Sequence, residues 1–230
     1  MRLIAQRVVS LVAFLSLLIG LIKSDDSSSQ NSRQYLLAEE AKGNRDESKS
    51  APKKLLERIN LKNADGKRAF EIKPESNGAK LVDADDKEIA RYSVTDHGLK
   101  IKDAADNVLG HIVRHDHAYK IEDADRKHVL FKIAGKEGGD WSVENGKQER
   151  LYRIKKRDYG FEIESASGVS LAKVKHKDGK TSFRDAKDET LLSTKDHISQ
   201  LGLACVTLGK IESEPLRFGL LVQFVVDKRP

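Results

Sequence analysis

Basic residues with the potential to bind anions cluster in two stretches of the second half of the chain. The cluster consists of Lys147, Arg150, Arg153, Lys155, Lys156, Arg157, Lys173, Lys175 and Lys177. If adjacent strands carry the two stretches, these cations form a patch for anionic lipid head groups, with about 1 kcal/mol per charge near a membrane surface. The alternative is a solvated strand face whose charges are balanced by neighbouring acids, namely Glu144, Glu149, Asp158 and Glu162.

Four histidines, His97, His111, His115 and His117, lie within one short stretch, and three of them could share a hairpin face. Alternate residues on a strand can chelate a metal ion. However, Asp96-His97 and Asp116-His117 are 20 residues apart, at equivalent places in a repeat that is described below. Turn chemistry explains the pairs better, so we predict no metal site and no cofactor.

Closely spaced aspartates resemble fragments of a calcium-binding loop. The two runs are Asp83-Ala84-Asp85-Asp86 and Asp123-Ala124-Asp125. They lack the glycine at position six and the bidentate glutamate at position twelve that such a loop requires. We therefore interpret them as turns, with weak adventitious Ca²⁺ binding as the alternative.

No catalytic signature is evident in the chain. The single cysteine, Cys205, lies among Leu203, Ala204 and Val206, which favours a buried thiol over a nucleophile. One cysteine also excludes an internal disulfide framework and a multi-thiolate metal site. The sequence contains no nucleophile elbow, phosphate-binding loop or dinucleotide fingerprint, so we predict that the protein is not an enzyme.

The N-terminus carries a targeting or anchoring signal. Arg2 and Arg7 precede an apolar run over residues 8–22. As a helix this run would rise about 22 Å, less than the roughly 30 Å hydrocarbon core of a bilayer. We expect either a membrane anchor, which would tether the protein to a membrane, or a cleaved signal peptide, which would export it. A buried helix of a globular domain is the third alternative.

The net charge of +6 does not indicate nucleic-acid binding. Arg2, Arg7 and Lys23 supply half of it, and all three belong to the targeting segment. Nucleic-acid-binding proteins usually carry a basic patch on the folded domain. Without the targeting segment, the excess of basic over acidic residues in this chain is small. The polar, flexible composition of residues 24–54 predicts a linker.

A repeat of about 20 residues dominates the centre of the chain. Its equivalent apolar positions are Leu61, Leu81, Ile101, Ile121, Val143, Ile163 and Phe183, with steps of 20, 20, 20, 22, 20 and 20. Asp, Asn or Ser follows two residues after each, and alanine comes next in six of the seven units. Such self-similarity is typical of an architecture that is built from repeated structural units.

Each unit reads as a β-hairpin. In the fourth unit, apolar and polar residues alternate over 119–122 and 129–133 around an Asp123-Ala124 turn. Period-two alternation of Val, Ile, Phe and Tyr is strand chemistry, and Asx side chains bond the nearby backbone in turns. Gly78, Gly98 and Gly160 in the second kind of turn supply positive φ angles. Seven hairpins predict 12–14 antiparallel strands whose charged faces meet solvent. Dense charge could by itself indicate disorder, but this periodicity argues against it.

The C-terminus supplies apolar helices. Asp196 is a candidate cap for a helix that carries Ile198, Leu201, Cys205 and Leu208 on one face, and Gly209 would end it. Pro215 fits the first turn of a second helix over residues 215–226, which is apolar nearly all round. Such a helix must be buried on all sides, and a sheet with one apolar face must bury that face. We therefore predict a closed antiparallel barrel around the helix.

The predicted fold class is therefore an all-β closed barrel of hairpin repeats around a C-terminal apolar helix. The predicted domains are a signal or anchor (1–23), a linker (24–54), the hairpin-repeat barrel (55–197) and the C-terminal helices (198–230).

This combination resembles the tubby-like C-terminal domain superfamily, which includes tubby, the LURP-one-related proteins and the phospholipid scramblases. The resemblance covers residues 59–226 and depends on units such as YKIEDAD at 119–125 with VLFKI at 129–133, and on the last helix. It implies a barrel that encloses a hydrophobic helix, and a non-enzymatic, membrane-associated binding or scaffold role. No residues of the family's lipid sites map onto this chain.

Two other interpretations stay open. Residues 99–113 and 119–133 are similar to the YD repeats of RHS-type shells, which implies a structural or interaction protein with an open sheet and an exposed C-terminal helix. A scramblase-like lipid translocator requires a helix that enters the membrane, and residues 215–226 are too few to span one.

Overall fold

A computed structural model describes residues 56–227. The predicted anchor at residues 1–23 and the whole predicted linker at 24–54 lie outside the described residues, as do residues 228–230. Fourteen strands form one closed antiparallel barrel in which each strand pairs with its neighbours in the chain and β1 pairs with β14. The strands are β1 (Ile59–Lys62), β2 (Arg68–Glu75), β3 (Gly78–Asp83), β4 (Glu88–Thr95), β5 (Gly98–Asp103), β6 (Val108–His115), β7 (Ala118–Glu122), β8 (Val129–Gly135), β9 (Trp141–Asn145), β10 (Arg150–Arg157), β11 (Gly160–Ser165), β12 (Ser170–Lys177), β13 (Lys180–Asp185) and β14 (Thr190–Thr194).

The first turn of every repeat unit has the same construction. In the third unit, the Asp103 carbonyl accepts the N–H of Asp106, and the Asp103 Oδ1 accepts the N–H of Asn107. Asp106 has a φ of 70°. All seven turns repeat both hydrogen bonds and place a residue of positive φ fourth, which is a type I turn closed by a bulge. The recurring Asp, Asn or Ser is therefore a structural residue, as the turn interpretation predicts.

The bulge adds one residue to the strand that follows each first turn. The register skips an apolar residue in all seven units, namely Ala69, Ile89, Leu109, Leu130, Leu151, Leu171 and Leu191. The pattern forms a rim of apolar side chains at this end of the barrel. Leu171 and Leu191 are its exposed members, at 41% and 44% exposure.

The second kind of turn closes the opposite end of the barrel. Five of these turns have two central residues between paired strand ends, as between Thr95 and Gly98. At Gly98 the φ is 145°, and a Cβ would lie 2.0 Å from the Ile112 carbonyl oxygen. The predicted positive φ at these glycines is confirmed, and the close approach of the neighbouring strand is a second reason why no side chain fits.

Two helices occupy the interior of the barrel. They are α1 (Gln200–Val206) and α2 (Glu214–Asp227). Six residues of α1 and eight of α2 are buried, including Leu220, Leu221 and Val222 at 0% exposure. The inward-facing strand residues, such as Ile101 and Ile121, are also at 0%. The prediction of a closed barrel with a C-terminal helix is confirmed.

Close packing sets the identity of individual interior residues. A Cβ at Gly219 of α2 would lie 2.5 Å from the Ile101 Cδ1, so glycine lets the helix approach β5. The Phe218 ring lies 4.9 Å from the Phe70 ring, between centroids. At the other end of α2, the Phe224 ring lies 4.5 Å from the Tyr119 ring. Aromatic contacts with β2 and β7 thus hold the helix on both sides of the strands β3–β6 against which it packs.

Polar groups at the helix ends are paired with the barrel wall. The Tyr92 hydroxyl donates to the Pro215 carbonyl at 3.1 Å, and the Lys210 N–H donates to the Tyr152 hydroxyl at 2.9 Å. Burial raises the pKa of Tyr92, so this hydroxyl keeps its proton. Each bond fastens the helical segment to the barrel wall.

The predicted cap of the first helix is wrong. Ser199, not Asp196, is the N-cap, and its hydroxyl accepts the N–H of Gly202 at 3.2 Å. Asp196 instead accepts the N–H of Asn60 at 2.6 Å. The carboxylate therefore connects the end of the sheet to its beginning, where β14 meets β1. The first helix is also shorter than predicted, since it ends at Val206, before Gly209.

No helix among residues 56–227 combines the length and the apolar character that crossing a bilayer requires.

Replacement of Leu221 by Asp should abolish cooperative unfolding, because an unpaired carboxylate inside the barrel costs at least about 3–5 kcal/mol. The matched control is Leu191→Asp, since Leu191 is 44% exposed. We expect the control to unfold within about 0.5 kcal/mol of the wild type in denaturant titrations. Similar melting of the Leu221→Asp protein and the wild type would show that α2 is not the core.

Candidate functional site

The nine predicted basic residues do not form one patch. Lys147 lies in the first turn of its repeat unit, between β9 and β10. Lys177 ends β12 beside a turn of the second kind. The two kinds of turn are at opposite ends of the barrel, so these two lysines are separated by the length of a strand. The other seven lie on β10 and β12, with β11 between those two strands.

Three of these cations are already paired with acids. Lys155 lies 2.9 Å from Glu164, Arg157 lies 2.8 Å from Glu162, and Lys175 lies 2.7 Å from Asp188. A hydrogen bond from Ser170 and the nearby Arg157 lower the pKa of Glu162. Glu162 is the only one of the four predicted balancing acids found in an ion pair with this set, within the described residues. Along β11 the balanced-face interpretation therefore describes the structure well.

Other basic residues converge on a groove of about 280 Å³, which we call the β10 groove. Its lining comprises Lys136, Glu137, Asp140, Trp141, Ser142, Arg150, Arg153 and Lys155. Four basic side chains face two acidic ones. Within residues 56–227, no ion pair within 4.0 Å involves Lys136, Arg150 or Arg153. Guanidinium groups without a carboxylate partner are available to bind the oxygens of an anionic group.

A longer connection between β8 and β9 forms one wall of this groove. It contains a 3₁₀ turn at Glu137–Gly139, where Gly138 and Gly139 have φ angles of 76° and 88°. Asp140 fastens the connection to β10, because its Oδ1 accepts the Lys156 N–H at 2.9 Å. The single 22-residue step of the repeat falls in this region. The irregular unit thus provides a recess that a two-residue turn would not.

The histidines do not assemble into a metal site. His97 and His117 lie in neighbouring second-type turns, and His111 lies on the outer face of β6. Burial and the nearby Arg126 lower the pKa of His111, which favours its neutral form at pH 7. Between Leu56 and Asp227, no three His, Cys, Asp or Glu side chains are arranged to hold a metal ion.

The aspartates of the supposed calcium fragments have other partners. The Asp83 Oδ1 accepts the N–H groups of Asp85 and Lys87, both at 2.9 Å. Arg68 and Lys73 bind Asp86 and lower its pKa to about 2. These contacts belong to the turn and to the adjacent strand, as the turn interpretation predicts.

Cys205 is at 0% exposure on α1, and burial raises the pKa of its thiol. Because the thiolate is the reactive form, burial of this thiol makes it a poor nucleophile.

A second recess, which we call the helix-end cavity, lies where α2 ends at the barrel mouth. It has a volume of about 440 Å³ and is lined by Val94, Thr95, Asp96, His97, Gly98, Arg114, Asp116, Gln223, Val226 and Asp227. Gln223 donates to Asp227 at 2.9 Å, and the Tyr119 hydroxyl donates to the same carboxylate at 2.7 Å. The sequence interpretation missed this site. Its one signal is Gln223, the single polar residue between Phe218 and Val226.

Comparisons with known proteins identify no family and give a weak structural likeness. No protein-family model matches the chain, and neither does any curated protein. A protein from Arabidopsis thaliana, solved by X-ray crystallography, is similar over 68% of this chain and 92% of that chain, with a TM-score of 0.38 and 9% identity. A likeness at this level carries no functional argument.

Replacement of Asp83 by Ala should destabilise the barrel by about 1–2 kcal/mol, because two backbone N–H groups lose their acceptor. The matched control is Asp85→Ala, two residues further in the same turn, whose exposed side chain should matter by less than about 0.5 kcal/mol. Denaturant midpoints with and without Ca²⁺ measure both effects. A rise in midpoint on addition of Ca²⁺ that both variants lose would instead identify a calcium loop.

Proposed function

We propose that this protein is a non-enzymatic binding module of the tubby-like fold, and that its β10 groove holds an anionic group such as a lipid head-group phosphate. The observation that carries the proposal is the convergence of Lys136, Arg150 and Arg153 on one recess without carboxylate partners among the described residues. The closed barrel with a buried C-terminal helix supports the choice of fold.

The groove has the chemistry that a phosphate requires. A guanidinium group presents parallel N–H donors that match two oxygens of a phosphate, and a lysine adds a point charge. Arg150 and Arg153 are both exposed on the outer side of β10, so an anion reaches them without a change in the barrel.

The predicted N-terminal segment fits this role. If residues 8–22 anchor the chain, the linker keeps the barrel near a bilayer and raises the effective concentration of lipid at the groove. A weak site of a few charges is then sufficient for binding, because the anchor supplies the remaining membrane affinity.

The two alternatives lack a supporting observation among the described residues. An RHS-type element implies an open sheet and an exposed C-terminal helix, whereas the sheet over residues 59–194 is closed and α2 is buried. A scramblase-like translocator implies a membrane-inserting helix, and α2 has 14 residues inside the barrel.

Vesicle flotation of the full-length protein tests the proposal. Neutral phosphatidylcholine vesicles measure the contribution of the apolar N-terminal run, and vesicles that also contain a phosphoinositide measure the added effect of anionic lipid. The combined variant Arg150→Gln with Arg153→Gln should weaken the anionic-lipid-dependent part about 30-fold, because two charges contribute about 1 kcal/mol each. High salt should weaken wild-type binding as well.

The matched control is Lys177→Gln with Lys180→Gln, which removes two exposed charges from the β12–β13 hairpin, outside the lining of the β10 groove. It should weaken binding much less than the groove variant does. Equal losses from the two double variants would indicate unspecific attraction by net charge. No preference of the wild type for anionic vesicles would exclude the lipid part of the proposal.

A further inference from the structure

The helix-end cavity differs from the β10 groove in the sign of its charge. Its lining contains three carboxylates, those of Asp96, Asp116 and Asp227, against one guanidinium, that of Arg114. Arg114 lies 3.8 Å from Asp227 and is 58% exposed, so it offsets only part of this charge. An anion is therefore disfavoured in this cavity and a cation is favoured.

The end of α2 adds to this preference. The C-terminal carbonyl groups of a helix carry the negative end of its dipole and favour a nearby positive charge. The last described turn of α2 contains Asp227 and no basic residue. The dipole and the carboxylates thus act in the same direction on a group in the cavity.

Gln223 provides a specific acceptor. It is 3% exposed, and its Nε2 donates to Asp227, which fixes the orientation of the amide. The Gln223 Oε1 then has no hydrogen-bond partner in the described structure. The Gln223 Oε1 lies next to Gly98, since a Cβ added to Gly98 would be 3.3 Å from this oxygen. A buried acceptor without a partner is unfavourable unless a donor reaches it.

We propose that the helix-end cavity binds a positively charged ammonium or guanidinium group. An N–H of this group donates to the Gln223 Oε1, and its charge is balanced by Asp96 and Asp116 at the rim. The site is independent of the β10 groove, because no residue is shared between the two linings.

Such a group has two sources. One is a free small amine. The other is the chain itself, because Lys228 and Arg229 follow Asp227 in the sequence, outside the described residues. Both sources supply the same chemistry, and a variant that removes both tail charges separates them.

Calorimetric titration of the full-length protein with 1,5-diaminopentane tests the site, with 1,5-pentanediol as the uncharged control ligand. The diamine should bind and the diol should not. Asp96→Asn combined with Asp116→Asn should weaken binding at least about 10-fold. The matched control, Asp65→Asn with Asp85→Asn, removes two exposed carboxylates at the other end of the barrel and should leave the affinity unchanged.

Gln223→Leu removes the buried acceptor and should also weaken binding of the diamine. Should this variant unfold, the exposed Asp96 and Asp116 pair still decides the result. Binding of the diamine only after Lys228→Ser with Arg229→Ser would identify the tail as the natural occupant. Equal binding of the diol, equal losses from both aspartate pairs, or no binding to either the wild type or the tail variant would overturn the proposal.

Discussion

The burial of one apolar face governs this structure. Seven hairpins give a sheet with one face that water disfavours, and a sheet of 14 strands encloses more space than its own side chains fill. Helix α2 also has apolar surface to bury, because it is apolar nearly all round and needs contact on every side. Leu220, Leu221 and Val222 at 0% exposure show that each element satisfies the other.

Enclosure of the helices restricts where function can reside. The interior is occupied by α1 and α2, so an external ligand meets the outer face or the rims of the barrel. On the outer face several charges are paired across strands, as with Arg157 and Glu162. The two recesses occur where the structure departs from the regular repeat. The long β8–β9 connection forms a wall of the β10 groove, and the end of α2 lines the helix-end cavity. The two recesses have opposite charge, which allows them to hold different ligands.

Local patterns predicted the architecture well. The alternation of residues, the recurring Asp or Asn and the glycines before strands all report interactions within about ten residues in the chain, and the structure shows each of them. The apolar helix over residues 215–226 required enclosure, and only the sheet was long enough to provide it. The apolar bulge residues, such as Leu109, were also visible in the sequence as a repeat but have meaning only once the register is known.

Contacts between residues far apart in the chain could not be predicted from the sequence. Asp196 has the composition of a helix cap, yet it bonds to Asn60, 136 residues away, where the barrel closes. The basic residues looked contiguous because strand direction is not evident from their spacing, and it separates Lys147 from Lys177. The Tyr119 contact with Asp227 joins residues 108 positions apart, so neither residue marks the helix-end cavity by itself.

Hydrogen exchange of the α2 amides tests the central claim most directly. If the helix is the core on which the barrel closes, the amides of Leu220, Leu221 and Val222 exchange only through global unfolding, with the same opening free energy as Ile101 and Ile121 in the strands. Exchange of the helix amides through a local opening of much lower free energy, while the strand amides stay protected, would contradict it.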